Sequence, residues 1–295
     1  MRTSIFKAGV ASLTLGALLL AGACGSSPET PSASPTSPPT VTTTSTSPTT
    51  MATPSPTTHT STPASPAPKS ATPTSTPAPA ASIPGSLLGH VVSRVPTGRK
   101  IVALTFDAGA NGDGVDSILA TLAKEKVAAS FFLTGDFVNS FPNLAIRMSA
   151  AGRLGNHTLD HPHLPTLTDA QVRTQVTIAR TTIVRVTGED PHPLFRFPFG
   201  DWNAHDLRLV NDLGYVAVGW TVDTLGWQGT SGGRSADSVV QRVLAAATPG
   251  EIVLMHVGSH PTDHSTLDAD ALPRVIAGLR RAGYSFVTLD ALGAG

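Results

Sequence analysis

A single cysteine, Cys24, among 295 residues rules out an intrachain disulfide, so nothing covalent staples this fold. Neither sign of charge is in excess, with 20 basic residues against 20 acidic ones. Setting aside Arg2, Lys7, Lys69 and Glu29 near the start leaves 17 basic and 19 acidic residues, a net of −2. No basic patch large enough for nucleic acid remains, and that class of partner is excluded. The most apolar run, residues 8–20, falls short of a comfortable membrane span. A Gly-rich dinucleotide or phosphate loop after the first strand-like run is also missing.

What is present divides the chain in three. Arg2 and Lys7, the apolar run and then small residues up to Cys24 read as an export signal over residues 1–24. The run Leu20-Ala21-Gly22-Ala23-Cys24 resembles a bacterial lipoprotein processing site, with Ala21 where leucine is usual. Lipidation at Cys24 and a membrane tether are therefore expected; the alternative is an ordinary cleaved secretory signal. Residues 25–86 are mostly Pro, Ser, Thr and Ala, with only Glu29 and Lys69 charged. Such a segment buries too little apolar surface to offset its ordering entropy, and a disordered spacer is expected. Residues 87–295 are long enough for one sizeable core.

Within that domain, strand-like apolar runs alternate with helix-period segments. Strands are expected over 101–106, 129–134, 194–197, 215–221, 252–256 and 285–289. Helices are expected over 112–126, from Pro142 to Gly152, from a Thr168 cap to Gly188, and over 204–213, 235–247 and 271–282. This alternation implies parallel strands with crossover helices. A (β/α) barrel with fewer than eight units fits better than an open doubly wound sheet. Asp107, Arg196, Asp223 and His256 fall at or just past the C-terminal ends of expected strands, the face that carries chemistry in such barrels.

His157 and His161 are spaced so that, on one helical turn, both imidazoles would grip a single metal ion. Asp107, in Leu104-Thr105-Phe106-Asp107, suits a base or a metal ligand. His256, in Ile252-Val253-Leu254-Met255-His256, suits a proton donor near neutral pH. Arg196 suits holding a carboxylate or a substrate oxygen. Asp223 and Trp227 offer a carboxylate and an aromatic wall.

Five ordered segments resemble the motifs of the polysaccharide deacetylases (carbohydrate esterase family four, the NodB-homology domain) across residues 97–290. They are Thr105–Gly109, His157–His161, Arg196–Gly200, Asp223–Trp227 and Leu254–His256. The resemblance implies a distorted (β/α) barrel of about seven units that removes acetyl groups from N-acetylated sugars with a divalent metal, usually zinc. It implies His157 and His161 as metal ligands, Asp107 as base and His256 as acid. Arg196 would orient Asp107 and Asp223 would tune His256, while Trp227 and Leu254 wall the acetyl methyl. In the Arg196-Phe197-Pro198-Phe199-Gly200 segment, a backbone N–H at Phe199 or Gly200 would hold the oxyanion. An exported, tethered domain would meet cell-wall glycan, so peptidoglycan is the expected substrate, with chitooligosaccharide and acetylated xylan as alternatives.

Two positions depart from the family pattern. Ala108 stands where a second aspartate normally completes the metal triad, and Gly226 where an aspartate often precedes the tryptophan. Asn111 and Asp113 are the candidates closest in sequence for a replacement ligand, with Asp160, His205, His260 and His264 in reserve. Some peptidoglycan-acting relatives also lack the second aspartate. A rival enzyme class enters through Gly229-Thr230-Ser231-Gly232-Gly233, which matches a Gly-x-Ser-x-Gly nucleophile elbow. That motif requires a strand before the serine and a helix after it, and a Gly-rich loop is expected here instead.

Overall fold

The computed structural model describes residues 85–293; the leader, Cys24 and nearly all of the Pro/Ser/Thr-rich segment lie outside the described residues. Seven strands form one parallel path: β1 (Ile101–Ala108), β2 (Ala129–Leu133), β3 (Gly152–Asn156), β4 (Leu194–Phe195), β5 (Val216–Ala217), β6 (Val222–Asp223) and β7 (Glu251–His256). They are ordered β5-β4-β3-β2-β1-β7-β6, and a short β8 (Ser285–Val287) pairs with the first half of β1. Around this sheet run α1 (Val115–Glu125), α2 (Gly135–Ser140), α3 (Pro142–Ala151), α4 (Asp169–Thr187), α5 (Ala204–Asp212), α6 (Ala236–Ala246) and α7 (Leu267–Arg281). The expected distorted (β/α) barrel is what the strands form.

All eight residues of β1 are buried, because both faces of the strand are covered. Val102, Leu104, Phe106 and Ala108 pack outward with α1 residues Ile118 and Leu122 and α7 residues Val275 and Ile276. Ile101 and Ala103 pack inward with Phe132, Leu194, Val216 and Ile252 from neighbouring strands. The period of two then assigns Thr105 and Asp107 to the inner face.

Of the expected strand 215–221 only Val216–Ala217 is strand, and a second short strand, β6, begins just past its end. β5 ends one edge of the path and β6 the other, joined by residues 218–221 with no helix between. The gap is crossed by the chain before β1: Val92 N–H donates to Ala217 O, Gly219 N–H to Val92 O, and Val95 N–H to Gly250 O. Two elements went unanticipated, β3 and α2. The loop after β3 is the larger correction, because His157 and His161 do not share a helical turn. Thr158 and His161 adopt left-handed backbone, φ 69° and 62°, which coils the segment into a tight loop.

Glu251, at the start of β7, is fully buried, and neither carboxyl oxygen has a hydrogen-bond partner among the described residues. Burial pushes its pKa up to about 7. A carboxyl whose folded pKa lies above its unfolded value binds its proton more tightly when folded, so stability falls as pH rises between the two. Glu251→Gln should therefore gain on the native protein between pH 4.5 and 7, by roughly 2–3 kcal/mol, and then level off. Denaturant midpoints across that range measure it; a difference that is flat with pH would refute it.

Candidate active site

Because the strands are parallel, their C-terminal ends share one rim. Asp107 is the last residue but one of β1, His157 follows β3, Arg196 follows β4, Asp223 ends β6 and His256 ends β7. A cavity of about 340 Å³ opens there, lined by Asp107, His157, His161, Phe199, Gly200, Asp223, Trp227, Leu254 and His256. Nine residues singled out in the sequence thus converge. Phe197, inside the Arg196–Gly200 segment, and Trp220, three residues before Asp223, complete the wall; an aromatic in or near a motif is the signal for them. Pro198 is buried and Arg196 lies beneath the cavity floor.

Arg196 organises the floor although it is fully buried. Its Nη1 donates to Asp107 Oδ1 at 2.6 Å, and Nη2 donates to Thr105 Oγ1 at 3.0 Å and Gly219 O at 3.1 Å. Nε donates to Val218 O at 3.2 Å. The guanidinium stacks 4.0 Å from the centre of the Phe132 ring. That ring in turn needs Gly155, where a Cβ would lie 2.5 Å from it. With Oδ1 held, Asp107 presents Oδ2, which lies 3.4 Å from His157 Nε2. Burial alone would raise the Asp107 pKa, but Arg196, with His157 and His256 behind it, holds it below the ordinary carboxylate value.

His157 Nδ1 lies 2.9 Å from the Arg196 carbonyl oxygen. A carbonyl only accepts, so Nδ1 carries the hydrogen and the neutral ring turns its Nε2 lone pair to the cavity. His161 Nε2 is 3.1 Å from that atom. Burial, against the pull of Asp107, lowers the His157 pKa. Burial and then His157 lower that of His161 to about 4. Both rings are neutral near pH 7, the form in which imidazole binds metal. Two convergent imidazole nitrogens beside a carboxylate fit a borderline divalent cation such as zinc. No group of three or more His, Cys, Asp or Glu forms a ligand set among the described residues.

None of the candidates for a third ligand lines the cavity. Asn111 Oδ1 accepts from Ser259 N–H and Asp113 Oδ2 from Ser259 Oγ, latching the loop after β7. His205 pairs with Asp169 at 2.8 Å. Asp160, His260 and His264 are absent from the cavity wall. Ala108 itself faces the helix layer.

The nucleophile-elbow geometry is not met. Ser231 follows a 3-10 turn (Gly226–Gln228) with no strand before it. Its Oγ lies 3.4 Å from His260 Nδ1, the same ring nitrogen that lies 3.4 Å from Asp263 Oδ2. A relay needs the acid on one nitrogen and the serine on the other.

Asp223 does not reach His256. Its Oδ1 accepts from Leu225 N–H at 2.8 Å and its Oδ2 from Trp227 Nε1 at 3.3 Å. This holds the Trp227 indole at the rim, 48% exposed. Phe199, in left-handed backbone at φ 59°, is also exposed and stacks on His163 with ring centres 4.0 Å apart. The next residue must be glycine, since a Cβ at Gly200 would meet the Trp220 ring at 2.6 Å.

A buried carboxylate gripped by arginine, two neutral imidazoles and a further histidine on the rim of a parallel barrel define a hydrolytic site. A family model described as polysaccharide deacetylase matches residues 94–218. The peptidoglycan-N-acetylglucosamine deacetylase of Bacillus cereus is 34% identical over 198 residues, covering 67% of this chain and 70% of that protein. The chitooligosaccharide deacetylase of Sinorhizobium fredii is 35% identical, covering 65% and 88%. The crystal structure of the Bc1960 peptidoglycan N-acetylglucosamine deacetylase, bound to a naphthyl N-oxidanyl-benzamide, superposes with a TM-score of 0.63. It is 32% identical and covers 68% of this chain and 92% of that one. The chain belongs to the polysaccharide deacetylase family.

Proposed function

We propose that this protein is a metal-dependent hydrolase that removes N-acetyl groups from peptidoglycan, exported and lipid-anchored through Cys24. The observation that carries the reading is the division of labour at Asp107: Oδ1 is held by Arg196 while Oδ2 faces the two histidines. His157 and His161 would hold a divalent cation, most readily zinc, which supplies a polarised carbonyl and a more acidic water when bound. Asp107 Oδ2 accepts the proton of the attacking water. Gly200 N–H is already given to Phe197 O, so the Phe199 N–H is the donor assigned to the developing oxyanion. His256 gives a proton to the departing amine, so that water and amide become acetate and amine. Leu254 and Trp227 wall the acetyl methyl. The peptidoglycan preference is supported by the Bacillus relative and by the expected export signal and spacer, which would suit a cell-wall substrate.

Acetate release tests this across peptidoglycan, chitooligosaccharides and acetylated xylan with zinc added. Peptidoglycan should be the best substrate and Asp107→Asn should release no acetate above background. Faster release from chitooligosaccharides would move the substrate. Equal release by Asp107→Asn would discard the mechanism. Ala108, without a carboxylate, favours a second reading: a sugar-binding relative with weakened catalysis. Glycan binding with no acetate from any substrate would establish that one.

A further inference from the structure

We propose that Asp268, at the start of α7, is the carboxylate that orients His256 for proton donation, occupying the space a side chain at position 226 would need. This deepens the reading of His256 as proton donor and rests on it.

Three observations carry the assignment. Asp268 is 3% exposed, and its Oδ2 accepts the His256 N–H at 2.8 Å while lying 3.9 Å from His256 Nδ1. Among the described residues, His256 Nδ1 and Asp268 Oδ1 are both buried without a hydrogen-bond partner, so each lacks what the other offers. A catalytic hydrogen bond that is long without substrate commonly tightens in the substrate complex. The third observation concerns Gly226. A Cβ there would lie 2.7 Å from Asp268 Cγ, with Asp268 Oδ1 closer still. A side chain at 226 and the carboxylate of 268 therefore compete for one volume. Gly226 stands where the family pattern often has an aspartate, and this chain delivers a carboxylate to that volume from a helix 42 positions later. Asp223 is unavailable, having both oxygens committed to Leu225 and Trp227.

The environment suits the role. Burial raises the Asp268 pKa to about 6, with His256 pulling it the other way. A position in the first turn of α7 also favours its anion through the helix dipole. Asp268 does not line the cavity, so it is a positioning residue that works through His256.

The test compares two substrates in the full-length protein with zinc: an N-acetylated glycan, whose amine must be protonated to leave, and 4-nitrophenyl acetate, whose phenolate leaves without a proton. Asp268→Asn preserves the shape and an acceptor for the His256 N–H. It should lower kcat on the glycan about ten- to a hundredfold with KM nearly unchanged, and leave aryl acetate turnover unaltered. Gly226→Asp alone should lower glycan activity, because two carboxylates collide. Combined with Asp268→Ala, it should recover most of what Asp268→Ala loses. Wild-type kcat in Asp268→Asn, equal losses on both substrates, or no recovery in the double variant would each overturn the proposal. His256→Ala separates the two levels: full glycan activity there would refute His256 as the donor, whatever Asp268 does.

Discussion

Replacing Arg196 by methionine should destabilise the domain by about 3–5 kcal/mol, the loss expected when one partner of a buried ion pair is removed. Methionine fills a similar volume, so the cost is electrostatic before it is steric. Asp107 would remain buried, and its guanidinium partner would be gone. Val218 O, Gly219 O and Thr105 Oγ1 would each lose a donor as well. The energetic origin can be isolated by adding Asp107→Asn, which removes the stranded charge. The double variant should be more stable than Arg196→Met alone, giving a non-additive cycle because the two residues touch. Denaturant midpoints at constant m-value report the cycle. A loss below about 1 kcal/mol, typical of an exposed pair, would contradict the buried-pair account. So would strict additivity.

Strand ends were the readable part of this site. Asp107 and His256 close hydrophobic runs that fall within β1 and β7, and a parallel sheet brings such ends to one rim whatever the loops do. β3 was hidden because Gly152-Arg153-Leu154-Gly155-Asn156 carries no β-branched residue. Its glycine at 155 is a tertiary requirement, set by the Phe132 ring under Arg196. The His157–His161 spacing was read as a helical turn, yet a left-handed loop brings the same nitrogens to 3.1 Å. The spacing thus points to a pair that the structure does bring together, on a loop and not on a helical turn. Asp268 was out of reach for a different reason: an acidic residue opening a helix looks like an ordinary dipole partner. Only the packing of α7 against Gly226 distinguishes it.

Ala108 sharpens what metal removal should do. With its methyl among outward-facing core residues, it supplies nothing to the rim, and the ligands proposed for the metal reduce to His157 and His161 beside Asp107. Thorough chelation should lower acetate release by about 10³-fold or more, the equivalent of several kcal/mol of lost transition-state stabilisation. Added zinc or cobalt should restore it. The two histidines should then behave differently. His157 is 2% exposed and locked by the Arg196 carbonyl, so its ring is already aimed before any ligand arrives. His157→Ala should match the chelated native protein and stay there at any metal concentration. His161 sits on the left-handed loop nearer the opening, and His161→Ala should recover partly as zinc is raised. Melting temperature gives a readout independent of turnover, since a ligand that binds only the folded state raises it by mass action. Zinc should shift the native protein upward, His161→Ala less, and His157→Ala not at all. Unchanged acetate release after chelation, or an equal thermal shift in all three proteins, would remove the metal from these histidines.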